Sequence, residues 1–403
     1  MSTATYKLSA EVRLLTLCAR LDFTERHRQA LGQLQPSIKD WPLLLDAAKQ
    51  NFMLPLLARH LAAAGSNDVP QVAALELKQR LLQNVMHMLQ LVRVQQQLVA
   101  QIFEPRAIQY AFFKGASLAQ EYYGDTALRM CRDIDVLVEE GRLAEVGKAL
   151  VAQGYEITNP AWSRFRLNDL TAFCRYHSAL ELRSPTGVTL ELHRTLDSTG
   201  CIFSSREMLA GSGVEGSGRY SWRTLEPAAQ FVYICYHHAR HHWSSLHWCA
   251  DIAVLRRHPS FKLDEVMSLA RTLALEDTVT EALLLADNLD QLGLNGAEVG
   301  VERPSRFLED CVRAVRATVS GIEDAGSAHA DHDSDHEPDF RYEWQMSERY
   351  RRRFGRARWR PDENDVNAWP LPLSLHWLYY ALRPLRIAAV RLRSTHFFGG
   401  WFA

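Results

Sequence analysis

The sequence predicts an α+β protein in which helical regions flank a core built on a small mixed sheet. Three features point there. Apolar residues recur at spacings of three and four through residues 8–103 and again through 226–293. Between these blocks, "AIQYAFF" and "IDVLV" are short apolar runs of strand type. Beyond them, "SALELRSPTGVTLELHR" has two alternating arms around Ser184, Pro185, Thr186 and Gly187, the pattern of a hairpin.

In "WPLLLDAAKQNFMLPLLARHLAAAG", Pro42 stands early and Gly65 at the end, as in a capped helical pair. The next segment, "VAALELKQRLLQNVMHMLQLVRVQQQLVAQIF", contains neither glycine nor proline. Its apolar stripe requires a packing partner, read first as an internal scaffold and otherwise as a partner helix. "ASLAQEYYG" is a short helix closed by Gly124, and "RLAEVGKALVAQGYEIT" a helix ending at Gly154 and running into extended chain. Helix returns in "PAAQFVYICYHHARHHWSSLHWCADIAVLRR" and "LDEVMSLARTLALEDTVTEALLLADNLDQLG". The expected organisation is an N-terminal helical region (1–106), a core (107–200), a helical substrate or cap region (201–322), an acidic, histidine-rich flexible loop (323–339) and a basic, aromatic C-terminal region (340–403).

Composition narrows the function classes. The 403 residues are 47% hydrophobic and 23% charged, enough to bury a sizeable core. A formal net charge of -1 argues against nucleic-acid binding by an overall positive field. Seven cysteines are an odd number and show no Cys-x-x-Cys spacing, which fits a reducing cytoplasm. The start, "MSTATYKLSAEVRLL", lacks the marks of a secretory signal, and no apolar run reaches the length of a membrane-spanning helix.

The chemistry concentrates in "FFKGASLAQEYYGDTALRMCRDIDVLV". Asp133 and Asp135 stand two apart, so on a strand both carboxylates leave the same face and can converge on a divalent cation. Mg2+ takes a few carboxylate oxygens and completes its shell with water and phosphate oxygens. A third carboxylate is expected on a neighbouring strand, and Glu191 in the second hairpin arm fits, because it alternates with Leu190 and Leu192. Gly115 permits close backbone approach, and the helix start after it offers N–H groups to a phosphate. Lys114, Arg129 and Arg132 could neutralise phosphate charge, with an ion pair as the alternative for Lys114 and Arg129. His193, two beyond Glu191 on the same face, is the proton-handling or ligand-orienting residue of this reading.

The order Lys114-Gly115-Ala116-Ser117, Asp133-Ile134-Asp135, Glu191 resembles the nucleotidyltransferase superfamily of the polymerase-beta type. More narrowly, "ALRMCRDIDVLV", "LELHR" and "HHARHHWSSLHWCADIAVL" look like bacterial nucleotidyltransferases found near peptide natural-product and exopolysaccharide genes, over roughly residues 35–290. The resemblance implies a polymerase-beta-like core and transfer of a nucleoside monophosphate from a nucleoside triphosphate, ATP first among them. It also implies one or two Mg2+ ions and an acceptor that is a small molecule, peptide or protein. Asp133, Asp135 and Glu191 would be the catalytic and metal-binding residues; Lys114, Gly115, Ala116, Ser117, Arg129 and Arg132 would face the nucleotide. Two positions depart from the family pattern: Arg132 stands where a small residue usually precedes the first aspartate, and Ala116 where a serine is usual. Arg132 either pairs with the triphosphate or crowds the metal.

In "YHHARHHW", His238 and His242 are four apart, a spacing that can hold zinc, bind substrate phosphate or pack beside a pocket. The packed reading is preferred, and no His-Glu-x-x-His pattern is present. Arginines at 349–360 interleaved with aromatics, and "LHWLYYALRPLRIAAVRLR" after them, would suit a fold-back onto the body, a protein or peptide partner, or peripheral contact with the inner face of a membrane. The rival to an enzyme is a non-catalytic nucleotide-binding scaffold of a biosynthetic or membrane-associated complex.

Overall fold

The computed structural model describes residues 3–65, 69–197, 200–215, 221–295, 298–321, 343–345, 348–357 and 359–397. The acidic, histidine-rich segment lies outside them. The chain forms two compact units, the first from 1–97, 111–134 and 211–345, the second from 98–110, 135–210 and 346–403. Its strands are β1 (Ala4–Lys7), β2 (Tyr110–Phe112), β3 (Asp133–Val138), β4 (Glu156–Ile157), β5 (Ala179–Arg183), β6 (Thr189–His193), β7 (Gly213–Glu215), β8 (Trp222–Thr224) and β9 (Glu298–Val301). Both parallel and antiparallel pairs occur among them, so the chain is α+β with mixed strand pairing.

The first unit is mostly helical. Ser9 caps the helix Ala10–Cys18 by accepting from the Val12 N–H at 3.3 Å, and Asp40 caps Trp41–Gln50 through the Leu43 N–H at 2.9 Å. The expected helical pair is Trp41–Gln50 followed by Leu54–Ala63, and Gly65 just past its end takes a positive φ of 64°. The glycine-free stretch is one long helix, Gln71–Leu98. Ala73, Leu77, Met88 and Leu91 pack inward from it, while Val72, Leu75, Leu82, Met86 and Leu89 face out, so its apolar character is not confined to one stripe. The helix Glu276–Leu294 meets Ala10–Cys18 closely: a Cβ on Gly293 would lie 2.8 Å from Leu17 Cα. β1 pairs antiparallel with β9, and β8 runs parallel to β2 and antiparallel to β7.

In the second unit β4, β5, β6 and β3 lie side by side in that order. The helix Leu143–Ala152 crosses this sheet so closely that a Cβ on Gly147 would come within 2.6 Å of Leu180 Cδ2. Asp169 caps the helix Leu170–Tyr176 through the Thr171 N–H at 2.8 Å, and its Phe173 stacks on His177 and meets Phe165 edge to face. The C-terminal region folds back here: Tyr176 Oη lies 2.9 Å from His376 Nδ1, His177 Nε2 2.7 Å from Glu363, and Arg166 donates to Asn367 O at 2.9 Å.

No disulfide joins the seven cysteines. Cys18, Cys235, Cys249 and Cys311 are buried in the first unit and Cys174 in the second, whereas Cys131 and Cys201 are half-buried. Among the described residues no helix is long and apolar enough to cross a membrane.

Candidate functional site

The site begins with the hairpin. Gly187, at φ 86°, closes the turn through its N–H to Ser184 O at 2.9 Å, and this fixes a register in which Glu181 faces Glu191 and Ala179 faces His193. Leu180, Leu182, Leu190 and Leu192 are thereby sent to the buried face. Glu191 and His193 must then leave from the opposite one. On β3 the same period of two puts Asp133 and Asp135 on a common face, with Asp135 buried and Asp133 half-buried.

Asp135, Glu191 and His193 converge. One ligand atom from each lies within 4.8 Å of the others, the one such group among the described residues. His193 Nε2 stands 3.3 Å from Asp135 Oδ1 and 3.2 Å from Glu191 Oε2. Burial works against a charged imidazole, but the two carboxylates outweigh it and lift His193 to about 9. Two carboxylate oxygens and one imidazole nitrogen suit a divalent cation. With His193 as a ligand the set favours Mn2+ or Zn2+; with His193 orienting the carboxylates, the oxygens of Asp135 and Glu191 suit Mg2+, and Asp133 is not among the gathered ligand atoms.

The glycine turn has a steric reason. Gly115 adopts φ 67°, and a Cβ there would lie 3.2 Å from the Asp133 carbonyl oxygen, so only glycine fits without strain. Lys114 occupies the N-cap of the helix Gly115–Tyr123, with Nζ 5.5 Å over the Phe113 ring. Lysine has no acceptor, so the first N–H groups of that helix are left for other acceptors. Ala116 and Ser117 are buried, and the Ser117 hydroxyl donates to Lys114 O at 2.8 Å, tightening the turn.

Other predicted residues have different surroundings. Arg129 is buried, donating to both oxygens of Asp251 at 2.7 and 2.8 Å, and Tyr123 Oη donates to Asp251 Oδ1 at 2.7 Å. Burial alone would raise the Asp251 carboxyl; the Arg129 charge and its hydrogen bonds hold it well below the usual range. His238 Nε2 is 3.3 Å from the same carboxylate. Burial drives His238 down to about 4, so it is neutral near pH 7. His238 lies on the helix Pro227–Arg240, and His242 just past its end at φ 58°. The Arg132 guanidinium sits 4.7 Å over the Phe52 ring.

Sequence reasoning missed Asp251 and Asp197. A lone carboxylate among the apolar residues of "CADIAVL" was the signal that a buried cation had to meet it. Asp197 accepts backbone N–H groups of Cys201, Ile202 and Phe203 at 3.0–3.2 Å, ordering the chain that leaves β6.

The chain joins an α+β fold to two carboxylates and an imidazole gathered on adjacent strands, a group of residues able to hold a metal ion. The profile of the uncharacterised nucleotidyltransferase family matches residues 37–289, more than half of the chain. The chain belongs to that family and is a nucleotidyltransferase. No curated protein matches it.

Proposed function

We propose that the protein moves a nucleoside monophosphate from a nucleoside triphosphate, ATP first, to a hydroxyl, amine or phosphate of a small molecule, peptide or protein. The core is then of the polymerase-beta type, and a role in natural-product or exopolysaccharide assembly follows from the resemblance in sequence. The observation that carries this reading is the convergence of Asp135, Glu191 and His193.

Asp135 and Glu191, with Asp133, would hold Mg2+, which when bound neutralises triphosphate charge and orients the reacting oxygens. Glu191 is half-exposed and takes the proton of the acceptor as its oxygen or nitrogen attacks the α-phosphorus. The bond to the bridging oxygen breaks, and pyrophosphate leaves. His193 keeps both carboxylate side chains in one orientation. The Gly115 turn brings backbone N–H groups to the triphosphate, and Lys114 and Arg132 supply positive charge near it in sequence.

The test is incubation of the purified protein with each radiolabelled nucleoside triphosphate, Mg2+ and a cell extract as acceptor source. The Asp133→Ala/Asp135→Ala variant is run alongside. Label transfer and pyrophosphate release, both lost in the variant, are expected. Triphosphate binding that requires both aspartates but yields no transfer to any acceptor would replace this reading with the nucleotide-binding scaffold.

A further inference from the structure

The C-terminal region of the second unit buries its charges and exposes large apolar side chains. Between Leu371 and Ala389 the only formally charged residues are Arg383 and Arg386, and both point inward. Arg383 Nη1 donates to Asp365 Oδ2 at 2.7 Å, and Arg386 Nε to Asp365 Oδ1 at 2.6 Å and its Nη2 to Asp362 Oδ1 at 3.1 Å. His376 is also buried against Tyr176 and Leu371 O, and Tyr379 donates to Trp369 O at 2.7 Å. The polar groups of this segment therefore hold it to the body. Three of its large apolar groups face out, Trp377 at 66% exposed and Tyr380 and Leu385 each at 63%, while Tyr379 is buried. Trp369 and Leu375 add to the same stretch of chain.

Water is a poor solvent for such a surface, and because Trp and Tyr also concentrate at protein interfaces it is the charge around the patch that selects its occupant. Within 371–389 no exposed charged residue interrupts it, and it is weighted to Trp and Tyr, the residues that settle at the level of lipid headgroups. Arginines bracket it in sequence, six within 351–360 and two more at Arg391 and Arg393. Residues 340–403 hold twelve arginines against five carboxylates, in a chain whose formal net charge is -1. Three of those carboxylates, Asp362, Glu363 and Asp365, are already engaged with Arg383, His177 and Arg386. The region thus joins an uncharged aromatic surface to a positive excess, which complements an anionic bilayer.

We propose that the outward face of Trp369–Leu385 lies in the headgroup layer of a membrane rich in anionic phospholipid, the positive excess of residues 340–403 favouring the anionic surface. Contact is peripheral and reversible, since the segment buries side chains to the depth of an interface without crossing. This surface is independent of the transfer reading, and a Glu191→Gln variant should bind lipid like the unaltered chain.

The test uses the full chain with sedimenting vesicles of phosphatidylcholine, with and without phosphatidylglycerol. Pelleting with the anionic vesicles, weakened by added salt, is expected. The Trp377→Ser/Tyr380→Ser/Leu385→Ser variant should lose at least about ten-fold in vesicle affinity, because three exposed apolar side chains no longer leave water, while its melting temperature stays unchanged. Brominated lipid should quench fluorescence in the unaltered protein more than in Trp377→Phe. Failure to pellet, pelleting retained by the triple variant, or absence of a Trp377-dependent quench would overturn the proposal. So would a salt-sensitive RNA complex or a self-association that the triple substitution abolishes in the absence of lipid.

Discussion

Arg129 and Asp251, 122 positions apart in sequence, form a two-pronged ion pair at 2.7 and 2.8 Å in the buried interior of the first unit. Tyr123 and His238 approach the same carboxylate, so four side chains share one charge balance. This pair ties the segment just before β3 to the helix Leu246–Leu255.

Removing one member of the pair should be costly because the other charge stays buried. Asp251→Asn is expected to lose roughly 3–5 kcal/mol of stability, read from urea unfolding, whereas Arg129→Met combined with Asp251→Leu should recover much of that loss. Equal loss in the single and double variants would show that packing, not charge, sets the energy.

Acid should weaken the fold before the carboxylates titrate. Burial lowers His60 from 6.5 to about 4, although its ring also bonds to Arg20 O at 2.8 Å. Below pH 6.5 the unfolded imidazole takes up a proton that the folded one refuses until about 4. The unfolded state then binds more protons, and stability falls as pH falls through this window, by on the order of 3 kcal/mol for such a shift. His238, also held near 4, acts in the same direction. Urea midpoints measured across the window should decline towards acid, and His60→Gln should flatten the slope by about one proton. An unchanged slope would mean that His60 titrates normally.

Gly115→Ala should disturb the turn that opens the helix Gly115–Tyr123. The positive φ and the 3.2 Å approach to Asp133 O together predict a loss of roughly 1–2 kcal/mol in stability. A fluorescent ATP analogue should bind more weakly to this variant even after allowing for the unfolded fraction. Undiminished binding would separate the turn from the nucleotide.

What was legible in the sequence was local. The hairpin announced itself through alternating leucines and a Ser-Pro-Thr-Gly turn, and that alternation alone put Glu191 and His193 on one face. Gly65, Gly124 and Gly154 marked chain turns because each needs a positive φ, a property written into the residue itself. The pairing of β1 with β9 was not legible, since neither four-residue strand has a periodicity strong enough to stand out and their register is set by distant neighbours. The buried partner of Arg129 was hidden for the same reason. The tail was read as a fold-back or an external contact, and the direction of its side chains depended on Asp362 and Asp365, which no periodicity rule connects to Arg383 and Arg386.

The buried thiols turn the chain into its own clock for opening. Burial pushes Cys18 in the first unit and Cys174 in the second up to about 12, so neither offers a thiolate to an alkylating reagent while its unit is closed. Each becomes reactive when the unit around it opens. Mass labelling of the peptides that carry Cys18 and Cys174 would therefore time the unfolding of the two units separately, in the unaltered protein and at cysteines it already has.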